Sequence, residues 1–111
     1  MTSRFTVEWA QFRAAAGIDE ATVLAASRAL QSEFLDKQDG FIRRELFKGP
    51  DDSWADLLYW ESREAAERAL RNAADSPACS RYFALIAASG EDSGPGMLHL
   101  EQVECYSQAP R

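Results

Sequence analysis

Asp56 and His99 are the residues whose type and position best suit acid–base chemistry. Asp56 lies inside the apolar run WADLLYW, where an unpaired carboxylate is costly to bury. It therefore faces a pocket with a raised pKa and acts as a base, pairs with an arginine, or lies half-exposed near an edge. The candidate arginine partners are Arg43, Arg44 and Arg81. His99, the single histidine, can take a ligand's proton near neutral pH or be a structural residue of its strand.

Aromatic side chains with polar tips can complete a small pocket around these groups. Trp60 can form a pocket wall and donate its indole N–H to a bound oxygen, or it can pack between strand and helix. Tyr82 can add its hydroxyl to the same pocket, or be a core residue. Trp9 and Phe83 are candidates for the pocket wall, with the core as the alternative. A pocket of this kind would take a small aromatic ligand.

Composition and charge limit the possible partners. Lys and Arg total 12 against 18 Asp and Glu, which gives a net charge of −6 and argues against a nucleic-acid partner. No basic run can form a membrane-binding patch, and no stretch is apolar and long enough to span a bilayer. The first residues lack the apolar core of a signal peptide. We therefore expect a cytoplasmic protein that contacts no membrane.

Several common active-site motifs are missing from the sequence. Cys79 and Cys105 are widely spaced and predicted to be two reduced, buried thiols, which with one histidine make no zinc site. The segment GEDSGPG follows a predicted helix, so it is no phosphate loop, and its Ser93 is not in a nucleophile elbow. Asp51 and Asp52 belong to a turn rather than a calcium loop. No metal site is predicted.

Alternating and helical periodicities predict a β-α-β-β-α-α-β order in one domain, residues 1–111 with a core of about 4–106. Strands are predicted at residues 4–12, 41–48, 54–60 and 97–106. Asp19 caps the first helix, which ends at Gly40, and Ser62 and Ser76 cap the next two. Residues 87–96 are predicted to be a surface loop. This order indicates an α+β, ferredoxin-like fold with an antiparallel four-stranded sheet and helices on one face.

The predicted strands are apolar on both faces. In the third strand Trp54, Leu58 and Trp60 point one way, and Leu57 and Tyr59 point the other. If about eight apolar side chains line the uncovered face, it exposes roughly 600–1,000 Å², more than a typical monomer shows. We therefore predict a homodimer in which the two sheets pack through their open faces.

These residues resemble the antibiotic biosynthesis monooxygenase-like domains of the dimeric α/β-barrel superfamily. The most similar segments are LLYWESREAAERAL, SPACSRYFALI and GFIRRELFKG. The resemblance extends over about residues 4–106 and implies a dimeric α/β barrel. The family includes cofactor-free quinol oxygenases and haem-degrading enzymes.

The resemblance also assigns roles to particular positions. The family's tryptophan at the end of the third strand corresponds to Trp60, and its polar partner four positions earlier, usually Asn, corresponds to Asp56. The haem-degrading members need a histidine on the helix that follows, and SPACSRYFALI has none. The resemblance therefore implies no cofactor, with Trp60, Asp56 and His99 as candidate catalytic residues.

The implied activity is that of a cofactor-independent monooxygenase, an oxidoreductase acting on a small aromatic or polyketide-type, hydroquinone-like substrate. Such a reaction needs a dry aromatic pocket and polar groups that stabilise a substrate oxyanion. Two alternatives are open on the same fold. One is a non-catalytic small-molecule-binding or stress-associated homodimer. The other is an isomerase or decarboxylase that uses His99 or Asp56 as its base.

Overall fold

The structure, a computed structural model, describes residues 4–87 and 97–109. The predicted loop at 87–96 lies, apart from Ala87, outside the described residues. The described chain has the predicted element order. The strands are β1 (Thr6–Arg13), β2 (Phe41–Lys48), β3 (Ser53–Trp60) and β4 (Met97–Glu101), and the helices are α1 (Glu20–Glu33), α2 (Arg63–Ala73) and α3 (Pro77–Phe83).

The four strands form one antiparallel sheet in the order β2-β3-β1-β4. The two central strands pair along their whole length, from Thr6 opposite Trp60 to Arg13 opposite Ser53. Residues of all three helices pack on Leu58 and Trp60 of β3, so the helices cover one face of the sheet. This confirms the predicted α+β, ferredoxin-like fold.

Hydrophobic residues line the uncovered face of the sheet as well. In the β1–β3 and β1–β4 registers, Trp9 lies opposite both Leu57 and Leu98, and Val7 lies opposite Tyr59 and Leu100. Leu98 and Leu100 are 43% and 50% exposed. We call this surface the open sheet face; it consists of Val7, Trp9, Ala55, Leu57, Tyr59, Leu98 and Leu100.

The last strand is shorter than predicted. β4 ends at Glu101, and residues 102–109 form no regular element. β4 ends there because its neighbouring strand β1 begins there: Glu101 pairs with Thr6, the first residue of β1. One further bond joins the Gln102 N–H to the Phe5 carbonyl at 2.9 Å. The residues that follow carry apolar side chains into solvent, among them Tyr106.

The first helix also ends earlier than predicted. Its start agrees, since the Asp19 carboxylate accepts the Thr22 N–H at 2.9 Å. It ends at Glu33, and a single 3₁₀ turn, Leu35–Lys37, precedes the predicted stop at Gly40. Phe34 and Leu35 are both buried where the chain changes from α-helical to 3₁₀ geometry.

The polar residues at the other helix starts act as predicted. The Ser62 hydroxyl accepts the Ala65 N–H at 3.1 Å, and the Ser76 hydroxyl accepts the Cys79 N–H at 3.2 Å. Cys79 is buried and Cys105 is exposed, so the prediction that both thiols are buried is wrong for Cys105. Cys105 lies in the segment that follows the shortened β4.

Within the described ranges, none of the helices combines the length and the apolar content that a membrane crossing requires.

A candidate active-site cavity under the helices

A cavity of about 90 Å³ lies between the sheet and its helices. Alternate residues of β3 form its floor, because Asp56, Leu58 and Trp60 point to the same face. Glu8 and Ala10 extend the floor onto β1. Apolar residues of the helices form most of the remaining wall, among them Leu30, Phe34, Ala69, Leu70, Ala73 and Cys79.

Asp56 is held in a buried ion pair. Arg44 Nε donates to its Oδ1 at 2.8 Å, and the Tyr82 hydroxyl donates to its Oδ2 at 2.7 Å. Only 7% of the Asp56 side chain and 6% of the Arg44 side chain are exposed. Of the three alternatives left open by the sequence, Asp56 therefore adopts the one in which it pairs with an arginine, and its partner is Arg44. Both carboxylate oxygens are engaged.

Arg44 retains one unused hydrogen-bond donor. Its Nη1 donates to the Ser27 carbonyl at 3.1 Å, and its Cζ lies 5.3 Å from the centre of the Tyr82 ring. Its Nη2 is buried and has no hydrogen-bond partner among the described residues. Buried donors of a charged group are rarely left unmatched, so Nη2 is a candidate contact for an oxygen of a ligand.

Tyr82 is fixed as a neutral donor. Burial raises the pKa of its hydroxyl, and the neighbouring Asp56 carboxylate raises it further. The Tyr82 hydroxyl therefore keeps its proton at physiological pH and donates a hydrogen bond to Asp56. Tyr82 lies in the wall of the cavity.

Trp60 forms part of the cavity, but its indole N–H is already used. Trp60 is 1% exposed, and Phe41 packs edge-on against it with ring centres 5.4 Å apart. Its Nε1 donates to Glu8 Oε1 at 3.1 Å. The N–H that we expected to meet a ligand oxygen is therefore occupied by a carboxylate.

Glu8 is a cavity residue that the sequence analysis did not single out. Its side chain is 12% exposed, and its Oε1 lies 3.7 Å from His99 Nε2. Burial raises the pKa of the Glu8 carboxyl, and Asp56 adds to this, while His99 and Trp60 act in the opposite direction. The alternation of β1 could have identified Glu8, because it places Glu8 on the same strand face as Ala10 and Phe12, which also point toward the helices.

The remaining predicted site residues lie in three different places. His99 is not among the residues that line the cavity; it is the cross-strand neighbour of Glu8, which does line it. Phe83 is 51% exposed at the cavity edge. Trp9, predicted as a residue of the pocket wall, lies outside this cavity because the phase of β1 places it on the open sheet face.

Glu8 gives the site a pH-dependent stability. A carboxyl whose pKa is raised in the folded chain binds its proton there more tightly than in the unfolded chain. Stability therefore falls as pH rises from the ordinary value of 4.5 through the raised one. Glu8→Gln removes this titration. In urea unfolding, the free energy of unfolding of the variant should therefore rise relative to that of the wild type across this pH window, and the difference should stay constant above it. A constant difference from pH 4.5 upward would contradict the raised pKa.

Side chains that bind metals do not cluster in the described parts of the chain. In residues 4–87 and 97–109, no group of three or more His, Cys, Asp and Glu side chains has the arrangement to hold a metal ion.

Solved structures with this fold include several oxygenase-like proteins. SnoaB, a cofactor-independent oxygenase from Streptomyces nogalater, matches with a TM-score of 0.62 and 19% identity over 96% of this chain and 97% of that chain. A proposed antibiotic biosynthesis monooxygenase from Bordetella bronchiseptica matches with a TM-score of 0.70 and 13% identity over 93% and 99%. Another proposed antibiotic biosynthesis monooxygenase, from Chloroflexus aurantiacus, matches with a TM-score of 0.62 and 20% identity over 93% of this chain and 97% of that chain.

The chain thus has the fold of the antibiotic biosynthesis monooxygenase-like domains, as its resemblance to them predicts. No protein-family model and no curated protein matches the chain. At these identities the likeness establishes the fold, and activity must be argued from the cavity.

Proposed function

We propose that the protein is a cofactor-independent monooxygenase that oxidises a small hydroquinone-like aromatic or polyketide-type molecule. The main observation in support of this proposal is the buried Asp56–Arg44–Tyr82 cluster beside an otherwise apolar cavity. An apolar replacement of a buried ion pair often preserves or improves stability, so such a pair is poorly explained by stability alone. Polar groups converging on an apolar pocket are typical of a ligand site.

The proposed reaction needs no external reductant. The hydroquinone supplies all the electrons: one oxygen atom of O₂ is added to a ring carbon, and the other leaves as water. A hydroquinone and one O₂ thus become a hydroxyquinone and one water. The protein's part is to deprotonate the ring hydroxyl, bind the oxyanion and exclude bulk water. Arg44 Nη2, which is buried without a hydrogen-bond partner among the described residues, would bind a ring oxygen and draw negative charge from the ring, and the Trp60 wall would exclude water.

The proposed working unit is a homodimer formed through the open sheet face. Leu98, Leu100 and the neighbouring Phe47 are each more than 40% exposed in the isolated chain. Val103 and Tyr106, in the segment that follows β4, are also exposed. A second copy packed on this face would remove these side chains from water, which is the main favourable term in protein association.

Oxygen uptake by the purified protein tests the proposed activity. An oxygen electrode should record substrate-dependent O₂ consumption with a panel of mono- and polycyclic hydroquinones. Trp60→Phe should lower kcat/KM by about ten- to a hundredfold, because it removes the N–H that holds Glu8 and alters the cavity wall. Trp54→Phe is the matched control, since Trp54 packs in a separate core cluster and does not line the cavity, and it should retain activity.

Other outcomes of the same assay separate the alternatives. Absence of O₂ uptake across the panel, with a bound small molecule seen by native mass spectrometry, would favour a non-catalytic binding protein. Exchange of substrate C–H protons with solvent without O₂ consumption would favour an isomerase.

A further inference from the structure

Glu8 and Asp56 differ in how many carboxylate oxygens remain free to bind a ligand. Both oxygens of Asp56 accept hydrogen bonds, one from Arg44 and one from Tyr82. The described contacts of Glu8, with Trp60 and His99, both involve Oε1. Of the two carboxylates that line the cavity, Glu8 is therefore the one with an oxygen, Oε2, that these contacts leave unused.

Glu8 and Arg44 also stand at opposite ends of one row across the sheet. Both lie opposite Leu58, Glu8 on β1 and Arg44 on β2. Two strand spacings separate their backbones, which is about 10 Å. Leu58 lies between them in the cavity floor, so an aromatic ring lying over Leu58 would have Glu8 near one end and Arg44 near the other.

We propose that Glu8 takes the hydroxyl proton of a phenolic ligand in this cavity while Arg44 Nη2 binds the oxygen at the opposite end of the ring. The step is a proton transfer: the phenol O–H bond breaks, the proton moves to the Glu8 carboxylate, and the products are a phenolate and a neutral carboxyl group. This proposal deepens the proposed function and rests on it in taking a hydroxyarene as the ligand. It makes Glu8 a catalytic residue and limits the substrate class to para-oxygenated rings.

The surroundings of Glu8 suit a group that gains and loses a proton. Burial raises its pKa above the ordinary value of 4.5, which makes the carboxylate a stronger base. The groups facing it are His99 from β4, Asp56 from β3, Arg44 from β2, and Cys79 and Tyr82 from α3. The cavity residues from α1 and α2 are apolar. Arg44 is ion-paired with Asp56, so Glu8 is the cavity carboxylate that forms no ion pair with an arginine of the described residues.

The spectrum of bound 4-nitrophenol tests the proton transfer, since its phenolate is yellow and its phenol is colourless. The nitro group makes this probe resistant to oxidation, so the result does not depend on oxygenase activity. In the wild type the phenolate form should appear about one pH unit lower than for the free probe. In Glu8→Gln this shift should disappear. Glu101→Gln, the same change at an exposed position on β4, should behave as the wild type.

Two further readouts make the result decisive. Infrared difference spectra of the wild type should gain a protonated-carboxyl band when 4-nitrophenol binds, which requires no variant to fold. 4-Nitrophenol should also bind about tenfold more tightly than 3-nitrophenol, because only the para isomer places a nitro oxygen at Arg44.

The opposite outcomes overturn the proposal. Failure of the wild type to bind 4-nitrophenol, an unchanged shift in Glu8→Gln, or absence of the carboxyl band would exclude Glu8 as the proton acceptor. Equal affinity for the two isomers would exclude the role of Arg44. Oxygen uptake that persists beside such results would leave the proposed function standing while this inference falls.

Discussion

Asp56→Ala should destabilise the folded protein by about 3–5 kcal/mol, because it leaves the Arg44 guanidinium buried without its counter-charge. The Tyr82 hydroxyl loses its acceptor in the same variant. Urea unfolding followed by circular dichroism measures the change. This is the largest effect on stability that we expect from a single substitution in the cavity.

Two companion variants show whether the cause is the unpaired charge. Asp56→Asn keeps an acceptor for Tyr82 and should be destabilised less than Asp56→Ala. The double variant Arg44→Met with Asp56→Leu removes both charges and should recover most of the loss. A double variant as unstable as Asp56→Ala would mean that packing, rather than charge, dominates at this position.

Leu57→Arg should convert the proposed dimer into a monomer at micromolar concentration. Leu57 lies on the central strand β3 and in the middle of the open sheet face, opposite Trp9. A two-fold interface would bury the new charge twice, so we expect the dimer dissociation constant to rise by at least about a thousandfold. Sedimentation velocity over a concentration series measures it.

Leu70→Arg is the matched control for this experiment. Leu70 is a 51% exposed leucine on α2, on the helical side of the sheet, and its replacement should leave the proposed dimer intact. A wild type that sediments as a folded monomer at micromolar concentration would contradict the dimer. So would dissociation by Leu70→Arg alone.

Sequence periodicity singles out Asp56 as a carboxylate inside an apolar strand, but it leaves open whether the side chain lines a pocket, pairs with an arginine or lies half-exposed near an edge. It does not identify the partner either, because Arg43 and Arg44 are consecutive and point to opposite faces. An irregularity between Phe41 and Arg43 shifts the register of β2 against β3, and this shift decides which arginine faces the cavity. Arg43 lies instead over the ring of Tyr59, 4.2 Å from its centre.

The unpredicted features depend on pairing between distant segments. The role of Glu8 depends on β4 lying beside β1, which brings His99 next to it, and on β3 bringing Trp60 within hydrogen-bond distance. The length of β4 depends on where β1 begins, and the alternation of residues 97–106 alone carries no information about that. Local capping signals at Asp19, Ser62 and Ser76, by contrast, need only neighbouring residues and were predicted correctly.

Incorporation of isotopically labelled O₂ tests the central claim most directly. The purified protein, stripped of metals by a chelator, is incubated with an active hydroquinone and labelled O₂, and the product is examined by mass spectrometry. We predict one labelled oxygen atom in each quinone product and the other in water. A product that takes its new oxygen from solvent, or a substrate that returns unchanged, would contradict cofactor-independent monooxygenation in this cavity.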